Sequence, residues 1–203
     1  MYKKEVINTE DKCRVYARDF FKQVLGVEDK DIIDLPTYKG FDDTTKDEFI
    51  LDKTVQWWQT SHVDIIILWK GIRLYVDVKG VNDNWDSFVL TYEILKKYED
   101  EGYEVRDGWI ELNEDLPFKY QLVLHINKDY ACITYKTDFI EFMERNINIE
   151  RIKWTKDKGS VSRNKYAKNY YLAYRDNNID KLKDINVRLY KKESPTNWQL
   201  VRL

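Results

Sequence analysis

The stretch HVDIIILWKGIRLYVDVKG, residues 62–80, decides how the chain is read. Two runs rich in β-branched and aromatic residues, VDIIILW and IRLYVDVK, flank Lys70-Gly71. Such a dipeptide suits a tight turn, so an antiparallel strand pair is expected. Charges interrupt both runs: Asp64 near the start of the first, Asp77 and Lys79 at the end of the second. A carboxylate beside apolar strand residues costs free energy unless something pairs with it. Residues two apart on a strand share a face, so Asp77 and Lys79 project together and Val78 goes to the opposite side. The 12 residues between Asp64 and Asp77 suit two strands and a turn, which would bring both carboxylates to one end or one face of a sheet.

The string acid, any residue, Lys also occurs at Glu10-Asp11-Lys12 and Glu28-Asp29-Lys30, and as a bare string it means little. Context separates Asp77-Val78-Lys79, because it ends an apolar run. Neighbouring carboxylates repel unless a cation lies between them. Mg²⁺ takes a few carboxylate oxygens, a carbonyl and several waters, so Asp64, Asp77 and the Val78 carbonyl are expected metal ligands, with Mn²⁺ as the alternative ion. Lys79 would orient a water or stabilise charge developing on a phosphate oxygen. The competing structural reading is an ion network in which Lys79 pairs with Asp77 or Asp64, contributing about 0 to 1 kcal/mol where exposed. His62, two residues before Asp64, would share its face if the strand begins there, as an auxiliary proton-transfer or phosphate-contacting group or as a hydrogen-bonded strand end.

Working outward, Cys13, Ala17, Phe20 and Val24 recur at helical spacing and predict a helix from Thr9 to Leu25, with Thr9 as N-cap and Gly26 just past the end. Three residues back along this stripe stands Glu10, a further candidate ligand, although a glutamate in a first turn also favours the helix dipole. The segment EFILDKTVQWWQ fits neither period cleanly and is read as strand, with Trp57 and Trp58 packing rather than stacking on bases. Ser87 to Tyr98 is expected to be a helix, with Phe88, Leu95 and Tyr98 on one face. Glu104 to Leu112 reads as a strand or hairpin arm, Tyr120 to Ile126 and Tyr130 to Tyr135 as core strands, and Thr137 to Asn146 as a capped helix. Val161 to Arg175 reads as helical and Asn186 to Tyr190 as a last strand. The fold class is therefore mixed α/β, a central mixed sheet flanked by helices.

A chain of 203 residues with 43% hydrophobic and 15% aromatic content can bury a substantial core. No apolar run approaches the ~20 residues of a membrane helix, and MYKKEVINTED lacks the apolar region of a signal peptide, so a cytoplasmic protein is expected. Two Cys and two His exclude a thiolate or histidine-rich zinc site, which leaves hard cations held by carboxylates. The net charge of -2 hides an asymmetry. Residues 151–203 carry 14 Lys and Arg against 5 Asp and Glu, a net of +9, leaving -11 for the first 150. The expected organisation is a core over 1–149 and a basic, partly helical extension over 150–203, packed on or continuing the core. Within it, Lys153, Lys156, Lys158, Arg163, Lys165 and Lys168 are candidate phosphate contacts, and nucleic acid is the expected partner. A solvated Lys-rich surface docked on the acidic body is the bland alternative. High Lys, Asn, Ile and Tyr content points to an A/T-rich genome, bacterial or phage.

The arrangement Val63-Asp64, 12 residues, Asp77-Val78-Lys79, preceded by a helix bearing Glu10, resembles the PD-(D/E)xK nuclease superfamily of restriction endonucleases, Holliday-junction resolvases and phage exonucleases. The resemblance covers roughly residues 5 to 140 and implies a restriction-endonuclease-like core, Mg²⁺ dependence and cleavage of DNA phosphodiesters. Asp64 matches the first Asp of the motif, Asp77 its second acid, Lys79 its Lys, and Glu10 the helix glutamate of some members. Val63 stands where the eponymous Pro would be, and the Gln of RecB-like exonucleases has no counterpart. Small nucleases of this kind often cut two strands as homodimers, and no segment here identifies such an interface. A catalytically silent nucleic-acid-binding module and a protein-interaction module are the competing classes.

Overall fold

A computed structural model describes residues 2–35, 62–80, 87–98, 102–107, 112–146, 155–156, 165–173 and 186–201, with side chains for 12–35, 62–80, 112–142, 145 and 186–201. Among these residues the chain is mixed α/β. The helix α1 (Tyr2–Leu25) leads to β1 (Ile32–Asp34), and β2 (Ile65–Trp69) and β3 (Ile72–Gly80) follow. Next come β4 (Ser87–Tyr98), β5 (Gly102–Asp107), β6 (Gln121–Ile126) and β7 (Tyr130–Tyr135), then α2 (Lys136–Asn146). The chain continues with β8 (Thr155–Lys156), β9 (Lys165–Ala173), β10 (Arg188–Ser194) and β11 (Asn197–Leu200). Two sheets result, a seven-stranded one in the order β1-β2-β3-β6-β7-β10-β11 and a four-stranded one in the order β5-β4-β9-β8.

The hairpin of the opening stretch forms as its turn chemistry dictates. Lys70 and Gly71 both have positive φ, 49° and 80°, as the two-residue turn that matches strand twist requires. β2 and β3 pair antiparallel, Ile65 opposite Val76 through Trp69 opposite Ile72. β3 then pairs in parallel with β6, and β6 antiparallel with β7, so the sheet is mixed.

The two faces of this sheet are set by alternation. Ile65, Ile67, Leu74, Val76, Leu122, Leu124 and Ile126 pack with Cys13, Ala17, Phe20 and Phe21 of α1 in one buried cluster. Residues of the other parity, Asp77, Val123 and His125 among them, are buried on the opposite side, where the His125 and Phe139 rings meet edge to face at 5.9 Å beneath α2. α1 is longer than the spacing predicts: it begins at Tyr2, so Thr9 is interior rather than a cap. It stops where expected, at Gly26, whose φ of 67° is the left-handed geometry of a helix C-terminus.

Two helical expectations fail. Ser87 to Tyr98 is β4, antiparallel to both β5 and β9. A register shift between Thr91 and Glu93 breaks the two-residue alternation in mid-strand, and a bulged strand can then mimic helical spacing. Val161 to Arg175 contains β9 over Lys165–Ala173, a run whose tyrosines suit a strand once β4 and β8 are there to pair with it. The final strand runs to Ser194 rather than Tyr190 and turns into β11, which the sequence reading lacks. Tyr135, expected in the core, is 41% exposed at the end of β7. The segment 48–59, with Trp57 and Trp58, lies outside the described residues. Sheet pairing crosses residue 150 in both sheets, since β10 pairs with β7 and β9 with β4.

Candidate active site

Asp64 stands one residue before β2, where its N–H donates to the Val76 carbonyl at 2.9 Å, beside the part of β3 that carries Asp77. Like charges so placed are destabilising unless cations intervene. Here three side chains bring positive charge. Lys79, two residues along the strand, places Nζ 2.7 Å from Asp77 Oδ1. Lys136, the first residue of α2, lies 3.7 Å from Asp77 Oδ2 and donates to the His62 carbonyl at 3.2 Å. Arg14 of α1 reaches the strand end from the other layer, donating to Asp64 Oδ1 at 3.0 Å and to the Leu35 carbonyl at 2.8 Å.

The two carboxylates differ in surroundings. Asp77 is 1% exposed, and both its oxygens are buried without an aligned hydrogen bond, held instead by ion pairing. Asp64 keeps 31% of its side chain accessible, and its Oδ2 accepts the Val78 N–H at 2.7 Å. Burial, then repulsion from Asp77, push the Asp64 carboxyl up to about 6, against the pull of Lys79, the Val78 amide and Arg14. Burial opposes ionisation of Asp77 too, but Lys79 and Lys136 outweigh it and hold that carboxyl below its ordinary value. The two carboxyls are thus pushed in opposite directions, Asp64 up and Asp77 down. Burial lowers the Lys136 ammonium below its usual range, with Asp77 acting to restore it.

The structure thus brings together Asp64, Asp77 and Lys79 of the expected set. Val78 joins them through its N–H. Glu10 belongs to α1 one helical turn before Arg14, and its side chain lies outside the described residues. His62 does not share a strand with Asp64. β2 starts at Ile65, and His62 sits in a turn with φ 51°, contributing its carbonyl to Lys136. Of the basic candidates, Lys156 lies in β8 and Lys165 and Lys168 in β9, with Lys165 opposite Lys96 and Lys168 opposite Glu93. Lys165 and Lys168 thus lie on a strand where the sequence predicts a helix. Lys153, Lys158 and Arg163 lie outside the described residues.

Arg14 and Lys136 are site residues that the sequence reading misses. Arg14 carries a weak signal, one turn after Glu10 on the same helix. Lys136 carries none, because a lysine is almost never fully buried and nothing in the local pattern marks this one as an exception.

Among the described residues, no three His, Cys, Asp or Glu side chains gather as a metal cluster. A divalent ion would rest on Asp64 and Asp77 with water or substrate oxygens completing its shell. That donor set suits Mg²⁺ or Mn²⁺, which keep waters and use one or two carboxylates, and the Asp77 oxygens, which lack aligned donors, fit such a ligand. Among the described residues, no helix is long and apolar enough to cross a membrane. No protein-family model matches the chain, and no curated protein or solved structure matches it either.

Proposed function

We propose that the chain is a divalent-metal-dependent phosphodiester hydrolase acting on DNA, an endonuclease-like cytoplasmic enzyme with a restriction-endonuclease-like core. The observation that carries the reading is the approach of Asp64 to the Asp77-bearing part of β3, its N–H on the Val76 carbonyl and its Oδ2 on the Val78 N–H, with Lys79 2.7 Å from Asp77. Asp64 and Asp77 would hold Mg²⁺ or Mn²⁺. The ion, when bound, supplies an activated water and neutralises charge on a phosphate oxygen. Lys79 orients the water or stabilises that charge, and Arg14 fixes the Asp64 carboxylate through Oδ1 while its other arm anchors the Leu35 carbonyl. Glu10 is a candidate further ligand. The basic positions of β8 and β9, with Lys153, Lys158 and Arg163, are candidate contacts to the DNA backbone, and a homodimer would serve two-strand cutting.

One observation favours a second reading. Arg14, Lys79 and Lys136 already compensate the two carboxylates, as they would in a catalytically silent nucleic-acid-binding module. The deciding experiment incubates the protein with supercoiled, linear, single-stranded and four-way-junction DNA in Mg²⁺, Mn²⁺ or EDTA, beside Asp77→Ala and Lys79→Ala. Metal-dependent cutting lost in both variants supports the hydrolase. Salt-dependent DNA binding without cutting supports the silent module.

A further inference from the structure

We infer that Lys136 is a resident counter-cation of the carboxylate pair, which a divalent ion must work against when it binds. The inference rests on the hydrolase reading above. Lys136 is 1% exposed, among the largest fully buried side chains described, and it begins the helix that covers the Asp77 face of the sheet. A buried ammonium is expensive to keep, and pairing it with a buried carboxylate gives little net stability compared with apolar residues of similar volume. Asp77 does not need it as a sole partner, because Lys79 already stands 2.7 Å from Oδ1. Lys136 lies farther off, 3.7 Å from Oδ2, and is tethered instead by donating to the His62 carbonyl at 3.2 Å.

The tether explains how the ammonium is held there. His62 occupies a left-handed turn, φ 51°, just ahead of Asp64, and aims its carbonyl at the head of α2. One side chain thereby links the turn that delivers Asp64 to the strand that delivers Asp77. With Arg14 on Asp64, the two carboxylates face three cations, a surplus of positive charge where a metal would sit. A divalent ion entering between Asp64 and Asp77 gains their attraction and meets the repulsion of Lys136 at close range in a poorly screened interior. Metal affinity is accordingly weakened by design of the surroundings, while the carboxylates remain compensated without metal.

The test measures Mn²⁺ binding to the full chain, without DNA, by the loss of the free-ion electron paramagnetic signal and by calorimetry. Lys136→Met removes the charge and keeps the bulk, and should bind Mn²⁺ at least about tenfold more tightly than wild type. Lys136→Arg keeps the charge and should stay within about twofold of wild type. The Mn²⁺ concentration for half-maximal cutting should fall in Lys136→Met by the same factor as the dissociation constant, whatever happens to kcat. Where Lys136→Met fails to fold by circular dichroism, Lys136→Gln, which can still donate to the His62 carbonyl, replaces it. A folded charge-removing variant that binds Mn²⁺ no better than wild type overturns the inference and leaves the hydrolase reading standing. Absence of Mn²⁺ binding in wild type and variants alike overturns the inference, and the hydrolase reading falls with it where metal-dependent DNA cutting is absent too.

Discussion

Asp19 and Asp77 each sit between a helix and a sheet and each meet a lysine at 2.7 Å, yet they are built to opposite specifications. Asp19 Oδ1 accepts Gln23 Nε2 at 2.6 Å, and Oδ2 accepts both Lys192 Nζ at 2.7 Å and Trp198 Nε1 at 3.2 Å. Its side chain is 34% exposed, and three donors saturate it. Asp77 is sealed from water and surrounded by charge without aligned donors. A carboxylate that staples α1 to the β10–β11 hairpin needs directional bonds; one proposed to hold a metal ion needs coordination left to give. The proposed function draws on that contrast, and it can be broken by experiment.

The largest test of that contrast is catalytic. Asp77→Asn and Lys79→Ala should lower metal-dependent DNA cutting at least about a hundredfold, whereas Asp19→Asn should cut at the wild-type rate. Equal losses in all three would mean that folding, not chemistry, is being read.

Stability should separate the sites next. Removing one partner of a buried pair strands the other, so Asp77→Asn, which leaves Lys136 buried beside a neutral amide, should cost about 3 to 5 kcal/mol in urea unfolding. The double variant Asp77→Asn with Lys136→Met should recover most of it. Failure of the second change to compensate would show that the two side chains are not energetically coupled.

Acid titration should then give slopes of opposite sign. Asp64 is raised in the fold to about 6, so below the ordinary carboxylate value both states hold its proton and its contribution to stability is fully present. As pH rises from there through about 6, the unfolded chain releases that proton before the folded one does, and the contribution is lost. Asp19 is held low: burial opposes this, but Lys192, Trp198 and Gln23 prevail. Its contribution is present above the ordinary carboxylate value and disappears as pH falls through the folded one. Urea midpoints of wild type against Asp64→Asn from pH 4 to 7 should therefore diverge upward in favour of the variant, and those against Asp19→Asn should converge toward acid. The smallest effect belongs to Lys192→Ala, about 1 kcal/mol at neutral pH with cutting and Mn²⁺ binding unchanged. A larger loss there would make the staple part of the core rather than its fastening.

How legible the molecule is in its sequence follows from the range of the forces involved. The hairpin over 65–80 is local, and Lys70-Gly71 with its flanking runs is enough to place it, together with the shared face of Asp77 and Lys79. The buried stripe of α1 and the hairpin of β6 and β7 are legible for the same reason. β4 and β9 are not, because their mutual pairing joins residues about seventy to ninety positions apart, as in Ser87 opposite Ala173, and the bulge at Thr91 disguises the alternation that would have shown it. Within the site, the carboxylates announce themselves by interrupting apolar runs. Arg14 and Lys136 do not, since their roles are set by which layer covers which face, a tertiary fact.

The interleaving of the two sheets bears on how the chain can be divided. Cutting it between residues 149 and 150 would leave β4 and β7 in one fragment, each deprived of a neighbour, and would send β9 and β10, their partners, away in the other. Neither piece holds a closed set of strand pairings, and both would expose backbone edges that seek partners. Two separately expressed halves should thus be aggregation-prone alone.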